Sequence, residues 1–245
     1  MQWTDEGIVL SVRPHGETAA IAELLTREHG RHLGLVHGGR SRRLRPVLQP
    51  GNAVRALWRA RLPDQLGAMT VEAETSYAAQ AMSDRLALLA LSSACYLARL
   101  LPERDPHPEV YESLRELMAA LPERNLWPAL LVTWELALIG ELGFGLDLGR
   151  CAATGARAEL RYISPKSGRA VSAGAGAPYH DKLLPLPPFL AGDDKAPSDA
   201  DICDGLRLTS YFLEKWVLAP NEMRLPDERI RLLRQLEKAA SPAQG

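Results

Sequence analysis

The hydrophobic period of this chain changes once, at Tyr77, and that change limits the folds open to it. Before Tyr77 the chain reads as short segments with the period of two of a half-buried strand. Beyond it Leu and Ala recur every three to four residues, as on one face of a helix. Strands are expected over residues 7–13, 18–26, 31–37, 52–61 and 68–74. They are separated by turn signals at Pro14-His15-Gly16, His29-Gly30, Gly38-Gly39, Pro50-Gly51 and Pro63-Asp64. Five short strands in about 75 residues suggest a small barrel. The clearest alternation sets Val54, Ala56, Trp58 and Ala60 on a packed face against Arg55, Leu57, Arg59 and Arg61. Met69, Val71 and Ala73 alternate with Thr70, Glu72 and Glu74, which predicts a hairpin in which the two glutamates partly neutralise neighbouring arginines.

In the remainder, Ser83 or Asp84 caps a helix that runs through Leu86, Leu89, Ala90 and Leu97 and stops before Pro102. Pro108 opens a second, with Val110, Leu114, Leu117 and Leu121 on one stripe until Pro122. Residues 125–143 are apolar nearly all round, with Trp127, Leu130, Leu131, Trp134, Leu138 and Ile139, and predict a central core helix. Residues 144–190 are rich in Gly, Ala, Ser and Pro with one strand-like piece, 160–164, and read as an irregular insert. Helical patterns resume over 199–219 and 227–240, and 241–245 is expected to fray. The fold class is α+β, in two domains: residues 1–78, and a mainly helical part, 79–245.

The net charge of −1 conceals a segregation. No carboxylate lies between Glu28 and Asp64, while that interval holds Arg31, Arg40, Arg42, Arg43, Arg45, Arg55, Arg59 and Arg61, so the rest of the chain carries −9. An acid-free arginine belt suits a polyanion, because nearby Asp or Glu would cancel the field and repel phosphates. Binding should be electrostatic and indifferent to base sequence. If about six arginines engage phosphates of a single strand, the logarithmic salt slope is roughly −4. Trp58 falls on the opposite face and reads as core rather than as a base-stacking platform.

Other chemistry is not supported. Residues 34–41 nearly fit the phosphate-loop pattern, with Arg40 in place of Lys, but Arg42-Arg43-Leu44-Arg45-Pro46 is a poor start for the helix that pattern requires. His29, His32 and His37 match no familiar ligand spacing and are assigned to the basic surface. Neither Ser41 nor Ser167 has the surroundings of a hydrolase nucleophile. The acidic groups at Asp193-Asp194 and 199–204 are assigned to solvation and helix capping. Cys95, Cys151 and Cys203 lack metal or redox spacing, and residues 1–10 have no apolar run of signal length, which points to the cytoplasm with no membrane contact. No enzyme is expected.

Residues 7–13 (Gly-Ile-Val-Leu-Ser-Val-Arg) to Gly16-Glu17-Thr18, then Leu25-Thr26-Arg27-Glu28-His29-Gly30 and the Gly38-Gly39-Arg40-Ser41 turn, closely resemble the bacterial DNA repair family RecO, recombination protein O. Gly143 to Leu148 leading to Cys151, then Tyr162 to Gly168 with Arg169-Ala-Val171, and finally residues 206–217, extend the resemblance over the full length. It implies an N-terminal OB-fold β-barrel and a helical C-terminal domain. It also implies annealing of complementary strands, loading of recombinase onto strands coated by single-strand-binding protein, and partnership with RecR. The acidic, apolar-tipped tail of single-strand-binding protein is the third implied partner, received in the helical domain. Many relatives carry two cysteine pairs in the insert that hold zinc. Here Thr154 stands where the thiolate after Cys151 would be, and no cysteine follows until Cys203, so no zinc is expected. The rival reading is a protein-interaction module whose arginines dock an acidic peptide without contacting DNA.

Overall fold

A computed structural model describes residues 1–62 and 65–240. The turn expected at Pro63-Asp64 and the end at 241–245 lie outside the described residues. The chain forms two compact units, Met1–Trp127 and Pro128–Gly245.

The first unit is built on a closed barrel of β1 (Gln2–His15), β2 (Ala19–Thr26), β3 (Gly30–Val36), β4 (Ala53–Arg59) and β5 (Ala68–Thr75), in the order β1-β2-β3-β5-β4. All neighbours are antiparallel except β3 and β5, which meet in parallel at the single pair Leu35 and Ala68. Closure depends on the length of β1. Its N-terminal half pairs with β4, from Gln2 opposite Arg59 to Ile8 opposite Ala53, and its C-terminal half with β2. A register shift between Val9 and Ser11 bends the strand where it passes from one partner to the other. The core holds Val9, Ala22, Leu24, Val36, Val54, Ala56, Trp58, Met69 and Val71. Gly34 is required where β3 passes β5, since a Cβ there would lie 2.5 Å from that of Met69.

Between β3 and β4 the chain winds through helical turns, with the amide of Arg45 donating to the Ser41 carbonyl and that of Leu48 to Leu44. Leu44, Val47 and Leu48 thereby share one face and close the barrel core, and Arg42, Arg43 and Arg45 are left outward. Three helices complete the unit: α1 (Tyr77–Ala81), α2 (Arg85–Ala98) and α3 (Pro108–Ala120). The Asp84 side chain caps α2 by accepting from the Leu86 amide, and Val110, Leu114 and Leu117 of α3 are fully buried, as their spacing predicts. Glu23 ties the barrel to the end of α2. Its buried carboxylate accepts from Ser11 Oγ at 2.7 Å, Arg31 Nη1 at 2.5 Å and Arg99 Nε at 2.7 Å. Burial pushes this carboxyl up, but the hydrogen bonds from Ser11 and Arg31 and the charge of Arg99 outweigh it and hold it below the ordinary value.

In the second unit α4 (Trp127–Ile139) runs into a wider turn, Gly140–Phe144, where Gly143 takes a φ of 89°. The irregular segment contains a small sheet of β6 (Leu160–Ile163), β7 (Ala170–Ser172) and β8 (Leu184–Pro185) in the order β7-β6-β8, with a short turn α5 (Ala173–Gly176). Only β6 was expected from sequence; two- and three-residue strands are too short to show a period. Then α6 (Asp199–Phe212) opens on a capping box between Ser198 and Asp201, and α7 (Asp227–Ala240) follows. Asp201 thus caps the helix, whereas Asp204 pairs with Arg207 at 2.8 Å. The stretch Trp127–Phe144 has the length and composition of a membrane span, but it carries Glu135, fully buried and bonded to Arg229 of α7 at 2.6 Å. Its polar anchor makes it a core helix of this unit.

Candidate nucleic-acid interface

The eight arginines of the acid-free interval do not form one uniform surface. Arg31 is taken up inside the first unit: besides Glu23, its Nε donates to the Leu101 carbonyl at 2.7 Å, and Glu103 lies at 3.5 Å. Arg55 projects outward, but its strand neighbours are Glu6 on β1 and Glu72 on β5. Glu6 and Glu72 thus offset the charge of Arg55 at that end of the sheet face, although Arg55 forms no ion pair among the described residues. Arg59, opposite Gln2 and Ala68, has no carboxylate neighbour across either ladder. Arg40, Arg42, Arg43, Arg45, Arg59 and Arg61 are all exposed, and among the described residues none of the six forms an ion pair. Arg40 is held in place by Nη1 donating to the carbonyls of Gly16 and Glu17, at 3.0 and 2.9 Å, which leaves the rest of its guanidinium free.

Two clefts flank the arginine-bearing turns. One, about 460 Å³, lies between those turns and α1, with Arg42, Arg45, Pro46, Ala79 and Met82 in its lining. The other, about 350 Å³, lies between residues 36–44 and the start of β5.

The three histidines separate. His37 alone is exposed on the basic side. His29 stacks on Trp3, with ring centroids 4.3 Å apart, and bonds through Nδ1 to Asp5 at 2.9 Å. His32 is 5% exposed and sits edge-on to both Trp3 and Trp58. Burial, with the charge of Arg104, pushes its pKa down to about 4, so it is a neutral packing residue. The assignment of all three to the basic surface is thus corrected for His29 and His32. Aromatic neighbours brought together by barrel closure decide it, and their sequence separation hides them. Trp58 is core, as read, and its Nε1 donates to the Leu66 carbonyl at 3.0 Å. The near-phosphate-loop stretch begins inside β3 and leads into turns, with no helix N-terminus following Ser41 in the required place.

The sequence matches the family of the recombination protein O N terminal over residues 1–77 and that of the recombination protein O C terminal over residues 82–225. The chain belongs to the recombination protein O family. It is 54% identical to the DNA repair protein RecO of Methylorubrum extorquens over 239 residues, 95% of this chain and 97% of the relative. It is 51% identical to that of Rhodospirillum centenum over 242 residues, 98% of this chain and 96% of the relative. RecO proteins are non-enzymatic mediators of DNA repair and recombination, and the α+β architecture and five-stranded OB-like barrel described above fit that assignment.

The surroundings of Cys151, where the resemblance implies zinc, have a different chemistry. Cys151 Sγ accepts from the amide and hydroxyl of Ser172, at 3.3 and 3.4 Å, and the Thr154 hydroxyl bonds to the same sulfur. One thiolate among hydroxyl and amide donors does not fit zinc, and the described residues contain no group of three or more His, Cys, Asp or Glu placed for a metal. The three cysteines are free and buried. The hydrogen bonds from Ser172 and Thr154 lower the Cys151 pKa to about 6. A thiol depressed in the folded state contributes stability that is complete above the unfolded value, about 8.5, and is lost as pH falls through about 6. The thermal midpoint of the native chain relative to that of Cys151→Ser should therefore rise between pH 6 and 8.5. Parallel pH profiles for the two proteins would show that Cys151 remains a thiol throughout.

Proposed function

We propose that this RecO protein binds single-stranded DNA through the outward arginines of its barrel, anneals complementary strands, and helps place recombinase on strands coated by single-strand-binding protein. Its partners in this reading are RecR and the acidic tail of single-strand-binding protein, in the bacterial cytoplasm. Residues 1–78 act as the nucleic-acid-binding part and residues 79–245 as the helical part. The observation that carries the reading is the open set of Arg40, Arg42, Arg43, Arg45, Arg59 and Arg61 with no ion pair among the described residues. Guanidinium groups held off carboxylates on a rigid sheet and a packed turn are free to replace the counterions of a phosphate chain. Arg31 and Arg55, named in the sequence reading, are left out of the set because carboxylates already face them.

The rival reading draws on the larger cleft, where Arg42 and Arg45 rim a floor of Pro46, Ala79 and Met82 suited to an acidic peptide with an apolar end. Titration of a fluorescent single-stranded oligonucleotide across salt concentrations separates the two. Six phosphate contacts give a logarithmic slope of roughly −4. Absence of binding at low salt, or binding indifferent to salt, would leave peptide docking as the function of the arginines.

A further inference from the structure

We propose that the cleft between residues 36–44 and the start of β5 receives one nucleobase of the bound strand; this rests on the single-strand reading above and gives that site a base-recognising part. The arginines grip phosphate, yet a single strand differs from any other polyanion by its unpaired bases, whose apolar faces gain by leaving water. The cleft is placed for that. Its walls are the turn that carries Arg40, Ser41 and Arg43 and the outer edge of β5 at Ala68 and Thr70. Ala68 pairs with Arg59 across the β4-β5 ladder, and directly opposed residues project from the same face. A strand crossing the cleft therefore meets Arg43 on one side and Arg59 on the other, so its phosphates have partners before and after the inserted base. The larger cleft has arginines on one wall only, so a strand crossing it would find a phosphate partner on one side alone.

The lining suits a base. Leu44, Met69 and Val71 give an apolar floor, His37 is exposed beside it, and the hydroxyls of Ser41 and Thr70 present rotatable donors and acceptors at the edge. A volume of about 350 Å³ accommodates one base with its sugar and not a second. Rotatable hydroxyls accept any base edge, so the cleft distinguishes a base from no base without selecting a sequence. The cleft exists because β3 and β5 meet at one pair only, and the turn after β3 closes the core from below without covering the start of β5.

The test compares an oligothymidine with a fully abasic strand of the same length and charge, at several salt concentrations. The protein is expected to prefer the oligothymidine by about tenfold, the scale of one stacked base. Ala68→Phe, which fills the cleft mouth from an exposed position, should bring that ratio to about one. Independently of Ala68→Phe, the His37 imidazole resonance of the native chain, assigned by its loss in His37→Gln, should move with oligothymidine and stay in place with the abasic strand. Equal affinity for the two strands, with a steep salt slope for both, overturns the base site and leaves the phosphate-binding reading intact. A preference undiminished in Ala68→Phe, with a stationary His37 resonance, places the base elsewhere and overturns it as well. No salt-dependent binding of either strand removes the single-strand reading, and the base site with it.

Discussion

Replacing Arg40, Arg42, Arg43 and Arg45 together by Ala is expected to weaken single-strand binding at about 0.1 M salt by on the order of several hundredfold, and to flatten the logarithmic slope from roughly −4 to roughly −1.4. Each phosphate neutralised on a single strand contributes about 0.7 to the slope, so six contacts reduced to two remove about 2.8. Extrapolated lines for the two proteins meet near 1 M salt, where counterion release no longer drives association, and separate by that many decades over a tenfold dilution. The four positions are exposed, and the face that packs beneath them, Leu44, Val47 and Leu48, is untouched, so the variant should unfold at nearly the native midpoint. Arg55→Ala supplies the contrast. With Glu6 and Glu72 beside it, Arg55 carries little uncompensated charge to offer a phosphate, and its loss should leave the slope where it was. A four-arginine variant with the native slope would place the phosphate contacts outside these turns.

How far this site was legible in the sequence follows from the range of the interactions that make it. The alternation in β4 is a local property, and it places Val54, Ala56 and Trp58 inward and Arg55 and Arg59 outward as the structure has them. The same holds for the cap of α2 at Asp84 and the apolar stripe of α3. The N-terminal half of β1 was missed because its inward positions are partly polar: Asp5 is buried there, accepting from the Glu28 amide and bonded to His29, so the usual apolar code fails. The arginine belt was visible as an absence of acids, but the two members that do not belong to the open surface were not. Glu23 is eight residues from Arg31, outside the acid-free interval, and reaches it only because β2 and β3 pair. Glu72 comes to face Arg55 through strand register, set by the pairing of β4 with β5. Charge counted along the chain measures the field of an extended segment; pairing across the sheet determines what remains of it.

Arg229→Ala is expected to cost about 3–5 kcal/mol of stability, read from the urea midpoint and its slope. Both members of the pair are fully buried in the second unit, and the geometry is dense. Arg229 Nε donates to Glu135 Oε1 at 2.6 Å and Nη2 to Glu135 Oε2 at 3.0 Å, Nη2 also reaches the Leu206 carbonyl at 2.9 Å, and the Thr209 hydroxyl bonds to the same carboxylate. The pair thus joins α4, α6 and α7 at one point. Truncating the arginine leaves a carboxylate in an apolar interior with only the Thr209 hydroxyl to answer it, and the desolvation already incurred on folding is no longer offset. Glu135→Ala should cost a similar amount by stranding the guanidinium, whose Nη1 has no hydrogen-bond partner among the described residues. That unsatisfied nitrogen also makes the pair an imperfect solution. The double variant Glu135→Ala/Arg229→Ala, with no buried charge, should therefore lose less than the sum of the two single truncations, and the non-additivity is the measurement that decides. Additive losses would mean that the two charges reach water separately. Losses below about 1 kcal/mol would mean that the pair is no better than an exposed one. A lone glutamate in a helix as apolar as Trp127–Ile139 was itself a signal, because such a charge needs a cation brought to it by the fold, here from ninety-four residues further along the chain.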